Sequence, residues 1–505
     1  MNELHVGVVG AGTMGQGIVH LFAQTGHTVS VFDALEGAVS KALASVAGMI
    51  GKGVEKGRHT HAEAETMMAR IKACTALDQL ASCDVVIEAI VEDIGAKQVL
   101  FASLEAVVSE HAILASNTSS LVVAEIAAKC RYPGRVAGLH FFNPVPLMKV
   151  VEIIAAVRTT QGTVDTLVAL VEGSGHRPVI TADQPGFLVN HAGRGYLTEA
   201  LRILEERVAS VAEVDTLMRE AAGFRMGPFE LLDLTGLDVS GKVMESIYEQ
   251  FQQEPRFRPS SLVRPRIAAG LFGRKSGAGW YRYDAQSKAI PDQTARPVPA
   301  LPPALRLWIE PAAAERESLV TLAESRSVRV VLNAHEADLI LVQPWGQDAT
   351  TVCVEYALDA TRTVALDPLS GFGKRRTLMI TPVTSAAARD AAHALIASHE
   401  TPVTIINDSP GFVVQCVLAT IVNIAANIAQ RGIASVPDIE DAVKLGLGYP
   451  HGPLSWGDRI GGRPLLMILR NMQAVTGDPR YRPSPWLTRR VGLGLSLLTP
   501  EAGRA

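Results

Sequence analysis

The fold of the first half of the chain is decided by HVGVVGAGTMGQG, residues His5–Gly17. An apolar, strand-like run leads directly into a glycine-rich turn, and apolar residues at helical spacing follow. Gly10, Gly12 and Gly15 give the turn the spacing G-x-G-x-x-G. In this pattern the first glycine permits the turn, the second lets the backbone approach a pyrophosphate, and the third lets the helix pack on the strand. The stretch therefore predicts a strand–turn–helix unit that binds a dinucleotide at the helix start.

The next strand supports this interpretation. TVSVF ends at Asp33, about 20 residues beyond the turn, where an acid can bind a ribose 2′-hydroxyl. A carboxylate there would repel the 2′-phosphate of NADP, so the predicted cofactor is NAD. Buried strands are expected at 83–90 and 111–116, with a helix at 96–108 between them. This alternation predicts a doubly wound Rossmann sheet.

Polar residues follow the predicted strands at the edge where such sheets bind ligands. They are Glu92, the run Ser116–Ser120 and His140. His140 and Glu152 stand on two strand-like segments separated by the turn NPVP, which is predicted to bring them face to face. A carboxylate on one ring nitrogen fixes the tautomer of a histidine and raises its basicity, as a general base in a dehydrogenase requires. The alternative interpretation is a structural histidine and an exposed glutamate.

Six motifs resemble those of the 3-hydroxyacyl-CoA dehydrogenase family: GAGTMGQG, DVVIEAIVED, SNTSSL, GLHFFNPVPLMKVVEII, PGFLVN and GPFELLDLTGLD. The resemblance covers the chain from residue 1 to about residue 284 and implies NAD-dependent oxidation of an (S)-3-hydroxyacyl-CoA to a 3-oxoacyl-CoA. In that family the histidine of HFFNP takes the hydroxyl proton and the glutamate of VVEI orients it. The resemblance therefore implies these roles for His140 and Glu152.

The resemblance also implies which residues hold substrate and cofactor. Ser119 and Asn190 would hold the reacting oxygen, and Ser45, Lys52 and Ser119 would contact coenzyme A, although a solvated helix end is the alternative for Lys52. His191 follows Asn190, where the family commonly has arginine, and is interpreted as packing or as a direct participant. No H-E-x-x-H, paired cysteines or clustered acids at ligand spacing occur in the sequence, so no metal is predicted. The implied cofactor contacts are Gly10, Gly12, Thr13, Met14, Gly15, Asp33, Glu92, Lys97, Asn117, Asn143 and Lys275.

One phrase of the sequence occurs twice. PGFLVN at Pro185–Asn190 returns as PGFVVQ at Pro410–Gln415. Laid over each other without gaps, residues 410–458 and 185–233 match at roughly a quarter of positions. This indicates an internal duplication, in which a second helical lobe follows a reduced sheet domain.

The second copy does not keep the chemistry of the first. No glycine-rich turn opens it, and RTVALDP, in the place of RVAGLHFFNP, has no histidine. Met379 is expected near the position of Glu152, and Gln415 replaces Asn190 with a side chain one methylene longer. The second lobe is therefore predicted to be non-catalytic and to pack on the first as an internal dimer partner.

The predicted fold class is α/β plus all-α, with two lobes of the same kind in one chain. A helix is expected at 187–206, and a strand at 350–357. A polar, proline-rich stretch between the lobes has the composition of a semi-rigid linker. The predicted segments are 1–183 for an NAD-binding Rossmann domain, 184–284 for a helical dehydrogenase C-domain, 285–315 for the linker, 316–406 for a degenerate Rossmann-like domain and 407–505 for a second helical C-domain.

Composition limits the possible partners. A formal net charge of −4 and a pI near 6.4 give no reason to expect nucleic acid or an anionic membrane. Five widely spaced cysteines are typical of a reducing compartment. The N-terminal MNELHVGVVG lacks the features of a signal peptide, and the apolar run Cys416–Ala429 is expected to be a core helix. The expected location is the cytoplasm.

The sequence is compatible with several substrates. The two-lobed length without a hydratase domain resembles the bacterial phenylacetate-pathway type, which implies 3-hydroxyadipyl-CoA. The alternatives are 3-hydroxybutyryl-CoA, a gulonate-type sugar acid that needs no coenzyme A, and, from another class, a non-catalytic NAD- or acyl-CoA-binding protein. The expected partner is an acyl-CoA substrate, and self-association into a homo-oligomer is left open. Four arginines are equal candidates for binding a distal carboxylate: Arg225, Arg256, Arg258 and Arg264.

Overall fold

The structure is a computed structural model that describes residues 3–290, 297–371, 374–397 and 401–502. Contacts within the chain form two compact units. The first comprises Met1–His191 and Arg431–Leu447, and the second comprises Ala192–Gln430 and Gly448–Ala505. The boundaries of the five segments predicted from the sequence stay predictions.

Strands and helices alternate through most of the described chain. The strands are β1 (His5–Val9), β2 (Thr28–Phe32), β3 (Ile71–Ala73), β4 (Val85–Glu88), β5 (Ile113–Ser116), β6 (Val136–Phe141), β7 (Val150–Ala155), β8 (Arg177–Ala182), β9 (Arg306–Ile309), β10 (Arg329–Val330), β11 (Leu339–Val342), β12 (Thr363–Leu366), β13 (Arg376–Ile380) and β14 (Val403–Asn407). The α-helices are α1 (Thr13–Gln24), α2 (Ala38–Glu55), α3 (His61–Ala69), α4 (Ile94–Val107), α5 (Val123–Ile126), α6 (Gln161–Gly173), α7 (Val189–Ala192), α8 (Arg194–Glu205), α9 (Val211–Glu220), α10 (Pro228–Thr235), α11 (Leu237–Gln250), α12 (Val263–Ala268), α13 (Arg316–Ser325), α14 (Ala349–Glu355), α15 (Ala386–Ile396), α16 (Val413–Gln430), α17 (Val436–Gly446), α18 (Pro453–Ile460), α19 (Gly462–Thr476) and α20 (Pro485–Leu493).

The first unit is built around an eight-stranded sheet with the order β3-β2-β1-β4-β5-β6-β7-β8. Its neighbouring strands are parallel except for β6 and β7. Strand β1 is apolar on both sides, because Val6 and Val8 face one hydrophobic core and Val9 faces the other. The doubly wound sheet predicted from the sequence is confirmed, and it contains one antiparallel pair, β6 and β7.

The segment Pro185–Asn190 forms a tight turn before two short helices. Gly186 and Phe187 both have left-handed backbone conformations, with φ of 72° and 49°. Glycine adopts this region without strain, whereas a phenylalanine is held there only by its surroundings. The single helix expected at 187–206 is therefore wrong. It is divided into α7 and α8, with Gly193 between them.

A helix of the second lobe belongs to the first unit. In α17 the side chains of Asp438 and Asp441 accept from Arg177 of β8, at 2.8 and 3.1 Å. At its end, a Cβ added to Gly446 would lie 3.1 Å from the Val189 side chain of α7. Glycine at this position therefore permits α17 to pack closely on the start of α7.

The second unit contains a six-stranded sheet with the order β10-β9-β11-β12-β13-β14. Its one antiparallel pair, β12 and β13, precedes a parallel last strand, as β6 and β7 do in the first sheet. The first strand of each lobe also begins with the same kind of contact, a hydrogen bond from its first N–H to an aspartate. The N–H of His5 donates to Asp84 at 2.8 Å, and that of Arg306 donates to Asp338 at 3.0 Å. These parallels confirm a reduced second sheet.

Two expectations for the second half need correction. Residues 306–309, assigned to the linker, form β9, because Leu307 and Ile309 alternate into the second core and the strand pairs with both β10 and β11. Residues 350–357, expected as a strand, lie largely in α14, which begins with Asp348 as N-cap accepting from the Thr351 N–H. The β-branched residues of this segment favour a strand, but the Asp348 cap satisfies a free N–H at the helix start and so favours a helix.

Helix α16 forms the centre of the second unit. It is long and apolar enough to cross a membrane, but 83% of it is buried inside the fold, as expected for a core helix. It packs on α8, where a Cβ added to Gly195 would lie 3.0 Å from Ile424 and 3.1 Å from Thr420. The helical copies from the two lobes are thus in direct contact, which agrees with the predicted role of the second lobe as an internal partner.

Candidate active site

The glycine turn has the geometry that a bound pyrophosphate requires. Gly10 has φ of 108°, and a Cβ on Gly15 would lie 1.8 Å from the Gly10 carbonyl oxygen. These two glycines are therefore needed by the fold itself. Gly12 differs, because its backbone is extended and a Cβ there would meet nothing within 4 Å. It caps α1 without a side-chain hydrogen bond, so the open space lies beside N–H groups at a helix start.

Asp33 lies beside this turn, as the sequence predicted. Its carboxylate accepts from the Ala11 N–H at 2.8 Å and from the Leu35 N–H at 2.8 Å. The acid is thus fixed next to the second residue of the turn, where a ribose hydroxyl of NAD could be bound. Turn, open cradle and acid together fit NAD.

We predict that Gly12→Ala leaves the melting temperature unchanged and raises the KM for NAD by about 10- to 100-fold, because the methyl group fills only the ligand's space. Gly162→Ala is the matched control, since a Cβ there also meets nothing within 4 Å and the residue lies away from the turn. Thermal melts and NAD-dependent initial rates of both variants provide the measurement. An unchanged KM for NAD in Gly12→Ala would show that the turn does not bind the pyrophosphate.

The second part of the site is a histidine–carboxylate pair. Strands β6 and β7 pair in antiparallel register with His140 directly opposite Glu152. The His140 Nδ1 lies 2.5 Å from the Glu152 Oε2, and both side chains are buried, with exposed fractions of 6% and 0%. An ionised carboxylate only accepts, so Nδ1 carries the proton and Nε2 keeps its lone pair. The pair therefore presents a general base at Nε2.

The other oxygen of Glu152 explains the phrase PGFLVN. Glu152 Oε1 accepts from the Leu188 N–H at 2.8 Å and from the Val189 N–H at 2.7 Å. These N–H groups are presented by the left-handed turn at Gly186 and Phe187. The buried carboxylate thus accepts three hydrogen bonds, which fix the orientation of the oxygen that faces His140. The phrase thus orients the carboxylate, in addition to carrying Asn190.

Aromatic rings surround the base. The His140 ring centroid lies 4.5 Å from that of Phe142 and 5.9 Å from that of Phe187. These rings keep water from most of the imidazole, which strengthens electrostatic interactions inside the site.

The predicted substrate-oxygen ligands lie in the same unit as the base. Ser119 and Asn190 are partly exposed, and among the described residues neither side chain has a hydrogen-bond partner. Both are therefore free to donate to a ligand. Asn117 Oδ1 accepts from the Phe141 N–H at 2.8 Å and so ties the loop after β5 to the end of β6, whereas Asn143 is exposed. The predicted ligand roles of all four residues stay predictions.

Glu92 organises the serine-rich loop after β5. Its carboxylate accepts from the Thr118 hydroxyl at 2.6 Å and from the Ser119 N–H at 3.0 Å. Burial alone would raise the pKa of Glu92, but these hydrogen bonds and Lys97 lower it below its ordinary value. Glu92, which is predicted to contact the cofactor, thus also holds in place Ser119, which is predicted to bind the substrate oxygen.

Lys97 is buried, and its main partner, Glu88, was not predicted from the sequence. Its Nζ lies 2.5 Å from Glu88 and 3.3 Å from Glu92, and Glu88 also accepts from Ser116 at 2.7 Å. Glu88 ends the apolar strand VVIE, and a buried carboxylate requires a cationic partner. This requirement could have identified Lys97 as the partner of Glu88. Lys97 holds this corner of the site together, and its predicted contact with the cofactor stays a prediction.

The remaining predicted residues lie in other parts of the chain. Ser45 and Lys52 are both exposed on α2, seven residues apart and hence on one side of the helix. Lys275 belongs to the second unit, where its Nζ lies 2.6 Å from Asp238. His191 is fully buried in the first unit, as expected of a packing residue.

The second lobe has a closed polar cluster where the first has its base. Asp367 stands at the position of His140 and is opposite Thr377, because its N–H donates to the Thr377 carbonyl at 3.0 Å. Met379 was expected near the position of Glu152, but it lies opposite Ala365. The expectation is therefore wrong by two residues. Gln415 donates to Asp367 at 2.9 Å and accepts from the Gly346 N–H at 2.9 Å. Burial raises the pKa of Asp367 to about 6. This network occupies the space with its own side chains, which supports the predicted lack of catalysis.

A dinucleotide turn and a buried histidine–glutamate pair in one Rossmann unit define an NAD-dependent dehydrogenase that acts on an alcohol. Family models agree with this class. The model described as 3-hydroxyacyl-CoA dehydrogenase, NAD binding domain, matches residues 5–184, and the model of the C-terminal domain matches residues 186–283 and 411–498. The chain belongs to the 3-hydroxyacyl-CoA dehydrogenase family.

Individual relatives cover one or both lobes. A 3-hydroxyadipyl-CoA dehydrogenase of Escherichia coli (strain K12) is 34% identical over 97% of this chain and 98% of its own length. A solved 3-hydroxybutyryl-CoA dehydrogenase from Escherichia coli K12 matches with a TM-score of 0.86 and 34% identity, covering 98% of this chain and 99% of that chain. The mitochondrial hydroxyacyl-coenzyme A dehydrogenase of Sus scrofa is 41% identical but covers 55% of this chain and 91% of its own length. Single-lobed and two-lobed proteins therefore both occur among the similar proteins.

Proposed function

We propose that the protein oxidises (S)-3-hydroxyadipyl-CoA to 3-oxoadipyl-CoA with NAD, in the phenylacetate catabolism of a bacterial cytoplasm. The observation that carries this proposal is the relative that matches both lobes along almost its whole length and is named for this substrate. The five free cysteines agree with a reducing compartment.

The geometry of the pair gives the chain's own residues clear tasks in this reaction. When bound, NAD supplies the acceptor of the hydride. His140 Nε2 takes the hydroxyl proton, and Glu152 stabilises the resulting imidazolium through Nδ1. Ser119 and Asn190 donate to the substrate oxygen as it becomes a carbonyl.

A basic cavity beside α2 supports the binding of coenzyme A. The cavity has a volume of about 370 Å³ and includes Lys52, one of the two predicted coenzyme A contacts. Phosphate groups of coenzyme A are anions that such side chains attract. The other basic residues that line it include Lys56, Arg58, His59 and Lys149.

The second candidate substrate is (S)-3-hydroxybutyryl-CoA, because this acyl group is in the name of the full-length solved relative and of a single-lobed one from Ralstonia eutropha. The two candidates differ in the end of the acyl chain, which is a carboxylate in the adipyl group and a methyl group in the butyryl group.

The test measures NADH formation with both thioesters under identical conditions. We expect kcat/KM for the adipyl substrate to exceed that for the butyryl substrate by at least about 10-fold, since an interaction with a charged group contributes about 1.5–3 kcal/mol. Competition by free coenzyme A checks that the thioester carrier is recognised. A preference for the butyryl substrate would assign the protein to short-chain metabolism, and no inhibition by coenzyme A would favour the gulonate-type alternative.

A further inference from the structure

A cavity of about 510 Å³ lies on one face of the second sheet, wholly within the second unit. Its volume is in the range of pockets that hold small molecules, about 300–1,000 Å³. Its floor includes Trp308 of β9 and Ile340 of β11, which are partners in the parallel register. Leu332 and Tyr356 also line it, with exposed fractions of 89% and 56%. Large apolar side chains left exposed beside a cavity are typical of a binding surface.

The internal duplication allows this face to be compared with the same face of the first sheet. Asp84 and Asp338 each accept from the first N–H of the first strand in their lobe, which fixes the correspondence between the copies. Gly7 pairs with the second residue after Asp84, and Trp308 pairs with the second residue after Asp338. Trp308 therefore takes the place of Gly7. In the first sheet no side chain fits there, because a Cβ on Gly7 would lie 3.1 Å from the Cys83 Sγ.

The cover over this face differs between the two copies. In the first sheet, Leu80 and two side chains of α4, Phe101 and Leu104, are fully buried in the core on this side. In the second, the residue four positions before the aspartate is Ala334 instead of Leu80. Helix α4 has 14 residues, whereas α14 has 7. The second copy thus has less cover and a larger aromatic floor, so the cavity is a feature of that copy and not of the shared fold.

The same face of the second copy also carries a carboxylate. Glu310 is two residues beyond Trp308 and takes the place of Val9, which is 2% exposed in the first core. The Glu310 N–H donates to the Leu341 carbonyl at 3.0 Å, so the strand ladder continues to this residue. Residues two apart on a strand point to the same face, about 7 Å from each other. Glu310 and Trp308 accordingly line the same cavity.

Glu310 has no cationic partner among the described residues. Its Oε2 accepts from the Gln343 N–H at 2.9 Å, and this is a neutral donor. The arginine that lines the cavity, Arg362, is already committed, because its Nε donates to Asp359 at 2.8 Å and its Nη1 donates to the Ala337 carbonyl. The charges of Glu310, Asp359 and Arg362 therefore leave the lining with one uncompensated negative charge.

The tryptophan is held in place beside this charge. Its Nε1 donates to the Leu332 carbonyl at 3.2 Å, which fixes the indole by its edge. The face of an indole attracts cations that lie within about 6 Å of its centre. Tyr356 supplies a second aromatic ring to the same cavity. Aromatic rings next to a carboxylate are the arrangement that binds organic cations in proteins.

We propose that this cavity binds a small organic cation of the alkylated ammonium kind, over the indole of Trp308 and with Glu310 as its counter-charge. The inference concerns a second ligand and does not depend on which thioester the first lobe oxidises. A dinucleotide does not suit the site, because Glu310 repels phosphate groups and is followed by Pro311, which has no N–H to donate. The cavity is therefore not a remnant of the dinucleotide site.

The test measures the binding of choline to the full-length protein by isothermal titration calorimetry. The comparison ligand is 3,3-dimethylbutan-1-ol, which has the shape of choline with a carbon atom in place of the charged nitrogen. We expect choline to bind at least about 10-fold more tightly than this uncharged analogue. Absence of saturable choline binding, or equal affinities for the two ligands, would overturn the proposal.

Variants show whether the bound choline is in this cavity. Trp308→Leu and Glu310→Gln should each weaken choline binding by about 10-fold. The controls are Trp345→Leu and Glu317→Gln, a partly buried tryptophan and an exposed glutamate that do not line the cavity, and both should bind choline as wild type does. Choline affinity that survives both cavity substitutions would overturn the assignment.

A further variant covers the case in which Trp308→Leu does not fold. Tyr356 is more than half exposed, so Tyr356→Leu should keep the wild-type melting temperature. It should still weaken choline binding by several-fold, because the second aromatic ring is lost. Wild-type affinity in both Tyr356→Leu and Glu310→Gln would exclude the cavity as the choline site.

Discussion

Replacement of His140 by alanine is expected to lower kcat by about 10²- to 10⁴-fold, the range that a positioned general base contributes. The hydroxyl proton must leave as the hydride is transferred, and the imidazole Nε2 is the acceptor that the bond to Glu152 keeps free. The KM for NAD should change little, because the glycine turn and Asp33 are separate from the base. Steady-state rates of NADH formation, with NAD binding measured separately by fluorescence, provide the test.

A buried histidine outside the site provides the control for this substitution. His27 is also 6% exposed, and its ring packs on Phe22 at a centroid distance of 5.7 Å. His27→Ala removes a similar volume and should lower stability while leaving kcat within about 3-fold of wild type. If His140→Ala retained more than about a tenth of the wild-type kcat, another group would have to be the base, and the proposed mechanism would be wrong.

Much of this site could be predicted because its information is local in the sequence. The glycine spacing and the acid after the second strand lie within one strand–helix–strand unit. His140 and Glu152 lie on consecutive strands joined by a short loop, so their pairing follows from antiparallel register. The backbone donors of Leu188 and Val189 could not be predicted in this way, since a main-chain N–H has no sequence signature and these two depend on a left-handed turn.

Long-range packing accounts for the other features that the sequence did not reveal. Helix α17 belongs to the second lobe in sequence but packs on the first sheet, and Gly446 then lies against Val189. The side chain of Gln415 is not merely longer than that of Asn190, because it is committed to Asp367 and Gly346. In each case the decisive contact joins positions far apart in the chain.

The role of Glu152 can be separated from simple packing because its two oxygens have different partners. Oε1 accepts two main-chain N–H groups, and Oε2 accepts the imidazole N–H of His140. In a glutamine the amide oxygen must stay with the two N–H groups, since an NH₂ there would face two donors. The amide NH₂ would then point at Nδ1, which would have to become an acceptor. The imidazole proton would move to Nε2 and block the lone pair that takes the substrate proton.

Glu152→Gln should therefore lower kcat by about 10³- to 10⁴-fold although it preserves volume, as expected when a base is held in the wrong tautomer. Raising the pH should not restore activity, because the neutral imidazole still carries its proton on Nε2. Glu152→Asp is the comparison: it leaves a small cavity but keeps a carboxylate acceptor, so it should lose only about 10- to 100-fold. Steady-state rates and melting temperatures of both variants, measured across pH, distinguish the two explanations. If Glu152 acted mainly by filling space, the smaller aspartate would be the more damaging change, and the order of the two variants would be reversed.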